Sequence, residues 1–482
     1  MTHSNTKGKS FLISFLSGFI SLGGFIVFFI VLCRLKMLSP LYLGLIGAFG
    51  MVAAIVTFLL TMNVKKHKVL FVVGILWLVI STAGYITGGV FLYRTQDALQ
   101  TVTDTDTEAV HISIYVKQED PAQSLEDAKK YTFGILKTLD RDNTDAAVDA
   151  INAENGFSIA TREYDGLPQL ADGLLKGEVG AIILNDGYLS LYEELEGYTG
   201  FPDKVRVLST QQIEYSTNLQ TADNAISDDT INLYISGSDT RESTLPIRSR
   251  SDVNIIASVN LRTHKVLLLS TPRDYYVPLS VSNGVRDKLT HAGIYGVQTS
   301  IDTLEMLYGI DIDYYFRINF TGFEKIVDAL GGIEVQSDYE FESRGCHFNK
   351  GINYLNGKEA LVYCRERYSF SGGDRQRGKN QMEVIKAIAN KAASPAILTN
   401  YLTILKGVQD YMETSIPYDL IAQVVQEQLT SNPKWEISTY SVDGTGDSQI
   451  PYSMSVYAYV MVPDMETVAH AKGLLEQIEQ GV

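Results

Sequence analysis

Val297-Gln-Thr-Ser-Ile-Asp-Thr-Leu-Glu-Met-Leu307, then Ile312-Asp-Tyr-Tyr-Phe-Arg-Ile318, then Thr321-Gly-Phe-Glu-Lys-Ile-Val-Asp-Ala-Leu-Gly-Gly332 predict a helix, a strand and a second helix in close succession. Thr321 is placed to cap the second helix over 322–330, and Gly331 with Gly332 to end it. Upstream, Ile231-Asn-Leu-Tyr-Ile235 and Asp252-Val-Asn-Ile-Ile-Ala-Ser-Val-Asn260 read as strands. A further buried-type strand over 266–269 runs into Ser270-Thr-Pro-Arg-Asp274, where Pro272 stops the strand and fixes where Arg273 emerges. Residues 395–482 repeat the alternation without an assignable motif. Strands alternating with helices indicate an α/β layered core with a central sheet flanked by helices.

A second, smaller α/β pattern precedes this one. Residues 111–116 alternate as a strand, 124–139 have helical spacing, and 181–184 form a short buried-type strand ending in Asn-Asp-Gly. Nothing in it carries chemistry, and Glu193, Glu194 and Glu196 read as a solvated helical face. Further upstream, 101–108 is polar and acidic, and three uncharged apolar runs cover 11–32, 41–62 and 69–92. Each exceeds the roughly 20 residues that a membrane span needs. The first is too long for the apolar region of a cleaved signal peptide. Lys7, Lys9, Lys65, Lys66 and Lys68 flank one side against Arg34 and Lys36 on the other, which places the N-terminus inside and everything from Tyr93 outside. The expected organisation is a three-helix transmembrane anchor over 1–92 and a linker or lead-in to a strand over 93–110. An accessory α/β domain over 111–215 and a second α/β domain over 216–482 follow, together forming an extracellular ectodomain.

The chain has a formal net charge of −16, and residues 1–92 hold seven of its 40 basic residues and none of its 56 acidic ones. The ectodomain therefore carries 33 basic against 56 acidic residues, a net −23, which excludes a polyanion-coating surface. Against that background Tyr363–Gln381 concentrates Arg365, Arg367, Arg375, Arg377 and Lys379. Arginine binds phosphate oxygens bidentately and stays charged, so a diphosphate is the natural guest. A solvated face balanced by Glu366 and Asp374 is the alternative. On a helix beginning near Asp374, Arg377 and Gln381 lie one turn apart, and Ile385 and Ile388 continue the stripe into apolar surroundings. Ser238-Asp-Thr-Arg241, Arg248-Ser-Arg-Ser-Asp252 and Pro272-Arg-Asp274 add acids and arginines at loops bordering strands, where α/β sheets offer a ligand crevice. Cys346 and Cys364 are the two outside thiols, equally readable as a disulfide or as buried free thiols. The absence of CxxC and HExxH patterns leaves a zinc site little support.

With Ser236-Gly-Ser-Asp239, Arg250-Ser-Asp252, Ser270-Thr-Pro-Arg-Asp274, Asp328-Ala-Leu-Gly-Gly-Ile-Glu-Val335, Leu355-Asn-Gly-Lys-Glu-Ala-Leu361 and Arg365-Glu-Arg367, the chain strongly resembles the LytR-CpsA-Psr family. These motifs span roughly 232–390, and the three-span anchor with its accessory domain resembles the streptococcal capsule-type branch. The resemblance implies a membrane-anchored phosphotransferase that moves capsular polysaccharide from an undecaprenyl diphosphate carrier to peptidoglycan. It places lipid-diphosphate contacts on Arg273, Arg365, Arg367, Arg377 and Gln381, with Arg375 of the same cluster counted among the candidates, and Mg2+ on Asp239 and Asp252. A carboxylate pair is a common way to hold Mg2+. The candidate catalytic residues are Arg273, Asp252 and Asp274; either aspartate would orient or deprotonate the attacking hydroxyl, though an ion-pair partner of Arg273 is the preferred reading of Asp274. Ile318, Phe320, Phe323, Ile326 and Val327 are candidates for a lipid channel, or for ordinary core. Where many members have Lys-Ile-Asn-Ala, this chain has Lys288-Leu-Thr-His291.

A membrane regulator or sensor of capsule synthesis is the main rival reading, followed by a noncatalytic polyprenyl phosphate-binding scaffold. Expected partners are the carrier-linked polysaccharide, peptidoglycan, the membrane and other capsule-assembly proteins. The inside segments are too short for a folded groove-reading module, which disfavours sequence-specific DNA binding.

Overall fold

The computed structural model describes residues 2–62, 68–103, 107–216, 229–238, 240, 245, 248–392 and 407–482. The chain forms two compact units. The first comprises Met1–Thr103, Asn400–Gln409 and Ile416–Lys434. Its helices α1 (Thr2–Arg34), α2 (Pro40–Thr61) and α3 (Lys68–Thr103) contain apolar spans of 23, 22 and 27 residues, each long and apolar enough to cross a membrane. Ser17, Thr57 and Thr61 donate their hydroxyls to carbonyls one turn earlier at 2.8 Å, which satisfies polar groups that lipid cannot. Residues 93–103, expected as linker, continue α3, because no helix-breaking residue follows the apolar run. In the same unit the helix Tyr418–Ser431 lies on the loop after α1: Tyr418 donates to the Leu35 carbonyl at 2.9 Å, and Lys36 pairs with Asp419 at 2.8 Å.

The second unit is built on two large sheets, accompanied among the described residues by four two-stranded ones. The first is built from β1 (Thr107–Lys117), β2 (Thr132–Leu136), β3 (Ala160–Tyr164), β4 (Ala181–Asn185) and β5 (Val205–Ser216) in the order β3-β2-β4-β1-β5. The helix expected over 124–139 is not there; Thr132–Leu136 is a strand, and the helix runs Arg141–Asn155. Phe133, Ile135 and Leu136 are buried on a central strand, and a short apolar run of that kind has no periodicity to separate it from a helix. One face of this sheet, through Val110, Ile112, Ile114 and Ile183, meets Ala147 and Ile151 of the helix. The other, through Tyr115, Ile182 and Leu184, packs with Leu170, Leu174 and Tyr188, and also with Ile294 and Met454 from the later part of the chain.

The second sheet joins β6 (Thr230–Ser238), β7 (Ser251–Asn260), β8 (Lys265–Ser270), β9 (Tyr314–Asn319), β10 (Met412–Thr414) and β11 (Glu436–Ser441) in the order β10-β9-β6-β7-β8-β11. β9 runs parallel to β6, and β11 parallel to β8; β7 is antiparallel to both its neighbours. Tyr234, Ile256, Leu267 and Leu269 pack against the helices Val297–Tyr308 and Met465–Glu479 on one face. Ile255, Ala257 and Leu268 meet Met382 of the helix Gly373–Ala392 on the other. The helix after β9 spans Phe320–Ala329, and its cap is Asn319, whose side chain accepts from Gly322 N, rather than Thr321. Asn319 ends the strand in extended geometry, and a capping residue needs that backbone. Gly331 and Gly332 end this helix at φ 75 and 81, as the sequence predicts.

Candidate functional site

Three segments converge at one end of the second sheet. β7 opens with Ser251-Asp252, and β8 closes at Ser270, after which Pro272 delivers Arg273. The helix Gly373–Ala392 lies over them, seated closely because Gly378 has no side chain; a Cβ there would come within 2.6 Å of the Ser270 hydroxyl. Arg273 donates through Nη1 to Asp252 Oδ1 at 2.6 Å. Thr290 Oγ1 donates to the same oxygen at 3.4 Å. Arg377 pairs with Asp374 at the start of the helix.

Asp252, Arg273, Arg344, Arg365, Arg367, Arg377 and Gln381 line one cavity of about 370 Å³. Its remaining walls include Ile318, Phe320, Phe323, Ile326, Leu361, Ile385 and Ile388. Along the helix Arg377, Gln381, Ile385 and Ile388 all face it, so the lining passes from cationic to apolar over about three turns, roughly 16 Å. Arg365 stacks over the Phe320 ring with its guanidinium carbon 4.3 Å from the centroid, and Arg367 sits over Tyr368 at 4.7 Å. The rings hold the two forks flat without neutralising them.

The sequence candidates divide in this geometry. Arg375 points away from the cavity: it pairs with Asp443 and lines a second, separate cavity with Lys379. Two residues along a helix turn the side chain through about 200°, so Arg375 and Arg377 cannot share a face. Replacing Arg375 by alanine is therefore expected to change affinity for geranylgeranyl diphosphate by less than about twofold, whereas Arg377→Ala costs about tenfold. Isothermal titration of both variants checks this, and equal losses would contradict the division. Asp274 lies behind Arg273, 3.6 Å from its Nε and 3.7 Å from Lys288 Nζ, and does not line the cavity. Val327 is fully buried in the neighbouring apolar cluster, while the other four lipid-channel candidates line the cavity. Cys346 and Cys364 are free thiols, both packed in that cluster as small apolar groups, and burial pushes the Cys364 thiol up. Asp239 lies outside the described residues. Among the described residues no three His, Cys, Asp or Glu side chains gather as a metal site. Mg2+ usually takes only one or two carboxylates and fills its octahedron with water and phosphate oxygens, and Asp252 beside a cationic cavity fits that demand.

Sequence reasoning missed Arg344 of the cavity lining and, behind the cavity, Glu194. Glu194 closes a short 3-10 helix, Ser190–Glu194, that follows the interior strand β4 of the first sheet, and reaches the Arg273 cluster. Its carboxylate accepts from Arg250 at 2.5 Å, from Arg273 at 3.2 Å and from Lys288 at 2.7 Å. Lys288 and Arg250 are only 5% and 6% exposed, and Glu194 15%, whereas the adjacent Glu193 is 59% exposed. Burial alone would raise the Glu194 carboxyl; the fields of His291, Lys288 and Arg250 outweigh it and hold it well below its ordinary 4.5. Burial lowers and the carboxylates Asp252, Asp274 and Glu194 raise the Arg273 guanidinium, with a net rise that keeps it charged. A depressed carboxyl stabilises the fold fully above its unfolded value of 4.5, and that contribution is lost as pH falls below it. Glu194→Gln is therefore expected to cost about 3–5 kcal/mol at neutral pH, because it strands buried cations. The gap between native and variant melting temperatures should begin to narrow as pH falls below about 4.5 and close only as pH falls through the strongly depressed folded value.

The LytR_cpsA_psr family model matches residues 203–471, and the chain belongs to that family. It is 37% identical over 173 residues to the polyisoprenyl-teichoic acid–peptidoglycan teichoic acid transferase TagU of Bacillus cereus, an alignment covering 36% of this chain and 57% of that protein. It is 29% identical over 309 residues to TagU of Halalkalibacterium halodurans, covering 64% of this chain and 96% of that one. The crystal structure of Bacillus subtilis TagU overlays 52% of this chain and 96% of its own at 29% identity and a TM-score of 0.41.

Proposed function

We propose that this protein is a membrane-anchored phosphotransferase that moves a glycopolymer, in our reading capsular polysaccharide, from undecaprenyl diphosphate to peptidoglycan on the outer face of the membrane. The observation that carries the reading is the single cavity whose lining passes from five arginines to an apolar wall. A diphosphate with an isoprenoid tail is the kind of ligand that asks for both in one place. Its volume of about 370 Å³ suits the diphosphate and the first isoprene units rather than a whole tail. The transferase names of its relatives support the same reaction class.

In the proposed reaction an acceptor sugar hydroxyl attacks the phosphorus that bears the glycan. A new phosphorus–oxygen bond forms to the acceptor, the bond to the bridging oxygen breaks, and polyprenyl phosphate leaves with the electron pair. Arg273, Arg365, Arg367 and Arg377 bind and orient the diphosphate and stabilise charge on the phosphoryl oxygens. Asp252 is the better placed acceptor for the hydroxyl proton: it lines the cavity, and its bonds from Arg273 and Thr290 both fall on Oδ1. Asp274, held behind Arg273, serves the ion-pair network. Asp252, with Asp239, would hold Mg2+, which when bound supplies positive charge next to the diphosphate.

The test uses full-length protein in detergent with a short-chain polyprenyl diphosphate-linked glycan and peptidoglycan fragments, with and without Mg2+. Asp252→Ala is expected to reduce transfer by about 10²-fold or more. Tight binding of the lipid diphosphate without any turnover would instead support the sensor or scaffold reading.

A further inference from the structure

The first sheet carries no cavity residue, yet the segment after its strand β4 supplies the carboxylate on which Arg250, Arg273 and Lys288 converge. That carboxylate is rigidly mounted. Leu191, Tyr192 and Leu195, on either side of it in sequence, are buried in the core of the first sheet, and Tyr192 donates to the Leu167 carbonyl at 2.9 Å. Arg273 is then gripped from two sides, Nη1 by Asp252 and Nη2 by Glu194. One bond leaves a guanidinium free to swing about it, whereas two partners on different nitrogens fix the plane of the fork. Lys288 is fixed in the same way between Glu194 at 2.7 Å and Asp274 at 3.7 Å.

We infer that Glu194 is a positioning residue of the diphosphate site, so that the accessory sheet is a working part of that site. The inference rests on the reading of the cavity as a lipid-diphosphate site. Glu194 does not line the cavity and acts through Arg273. A charge-conserving change at Glu194 alters geometry and not net charge.

The test is a double-mutant cycle on the full-length protein in detergent, titrated with geranylgeranyl diphosphate. Glu194→Asp keeps the charge and withdraws the carboxylate by one methylene, and is expected to weaken binding about tenfold while lowering the melting temperature less than Glu194→Gln does. Arg273→Ala weakens it further, and the double variant binds no more weakly than Arg273→Ala alone, because Glu194 has nothing left to position. Glu194→Gln runs the same cycle without shortening the side chain, so a folding defect in one variant does not close the test. Native-like affinity in Glu194→Asp, or losses that simply add, would overturn the inference. If the wild-type protein binds the diphosphate but transfers nothing, the transferase reading fails and the cycle still decides the role of Glu194. No binding by the wild type overturns both.

Discussion

Arg273→Ala is expected to lower kcat/KM for transfer by at least about 10³-fold, more than the loss of one ordinary phosphate contact. The excess comes from what surrounds it. Arg273 lies between Asp252, Asp274 and Glu194; its removal leaves Glu194 with Arg250 and Lys288 and Asp274 with Lys288, and takes from Asp252, which lines the cavity, the guanidinium 2.6 Å away. An approaching diphosphate then loses a bidentate partner and meets an uncompensated anion. Arg273→Lys is expected to recover little, since an ammonium cannot bridge Asp252 and Glu194 while presenting a planar fork. Steady-state transfer assays on both variants decide this; retention of more than a tenth of native activity in Arg273→Ala would remove Arg273 from the reaction.

The second large effect belongs to the apolar wall. Ile385→Asp is expected to weaken geranylgeranyl diphosphate binding about 10²-fold while leaving affinity for inorganic pyrophosphate unchanged. Ile385 lines the cavity two turns beyond Arg377 on the same helix, where the walls are aliphatic and aromatic. A carboxylate there must either stay hydrated and hold water in the cavity or lose its solvation, and both remove the gain from burying isoprene carbons, about 0.8 kcal/mol per methylene. Titration of the two ligands separates head from tail. Equal losses for both would mean that the helix had moved, and no loss for either would place the tail elsewhere.

The site was partly legible because some of its chemistry is local in sequence. Arg365, Arg367 and Arg377 come from one dense cluster, and Asp252 and Arg273 sit beside strand ends that proline and hydrophobic runs mark out. The same local reasoning placed Arg375 with its neighbours, and only helix phase turns it onto another face. Arg344 lies in a hairpin turn between short strands, remote in sequence from every other cationic side chain of the cavity, and nothing local to it signals a ligand. At Glu194 the local signal misled. Three glutamates within four residues read as solvated, and two neighbours of identical type differ fourfold in exposure: Glu193 reaches only Arg250, at 3.4 Å, whereas Glu194 meets Arg250, Arg273 and Lys288.

By itself the sequence determined the three apolar spans, the α/β layering and the family, since span length, strand and helix periodicity and motif spacing are properties of neighbouring residues. Tertiary structure decided that Thr132–Leu136 is a central strand, that the cationic cluster divides between two cavities, and that the accessory sheet reaches Arg273. Each of these depends on which surfaces are buried against one another. A carboxylate's environment is set by the charges brought to it across 50 to 100 residues of chain, and no local pattern encodes them.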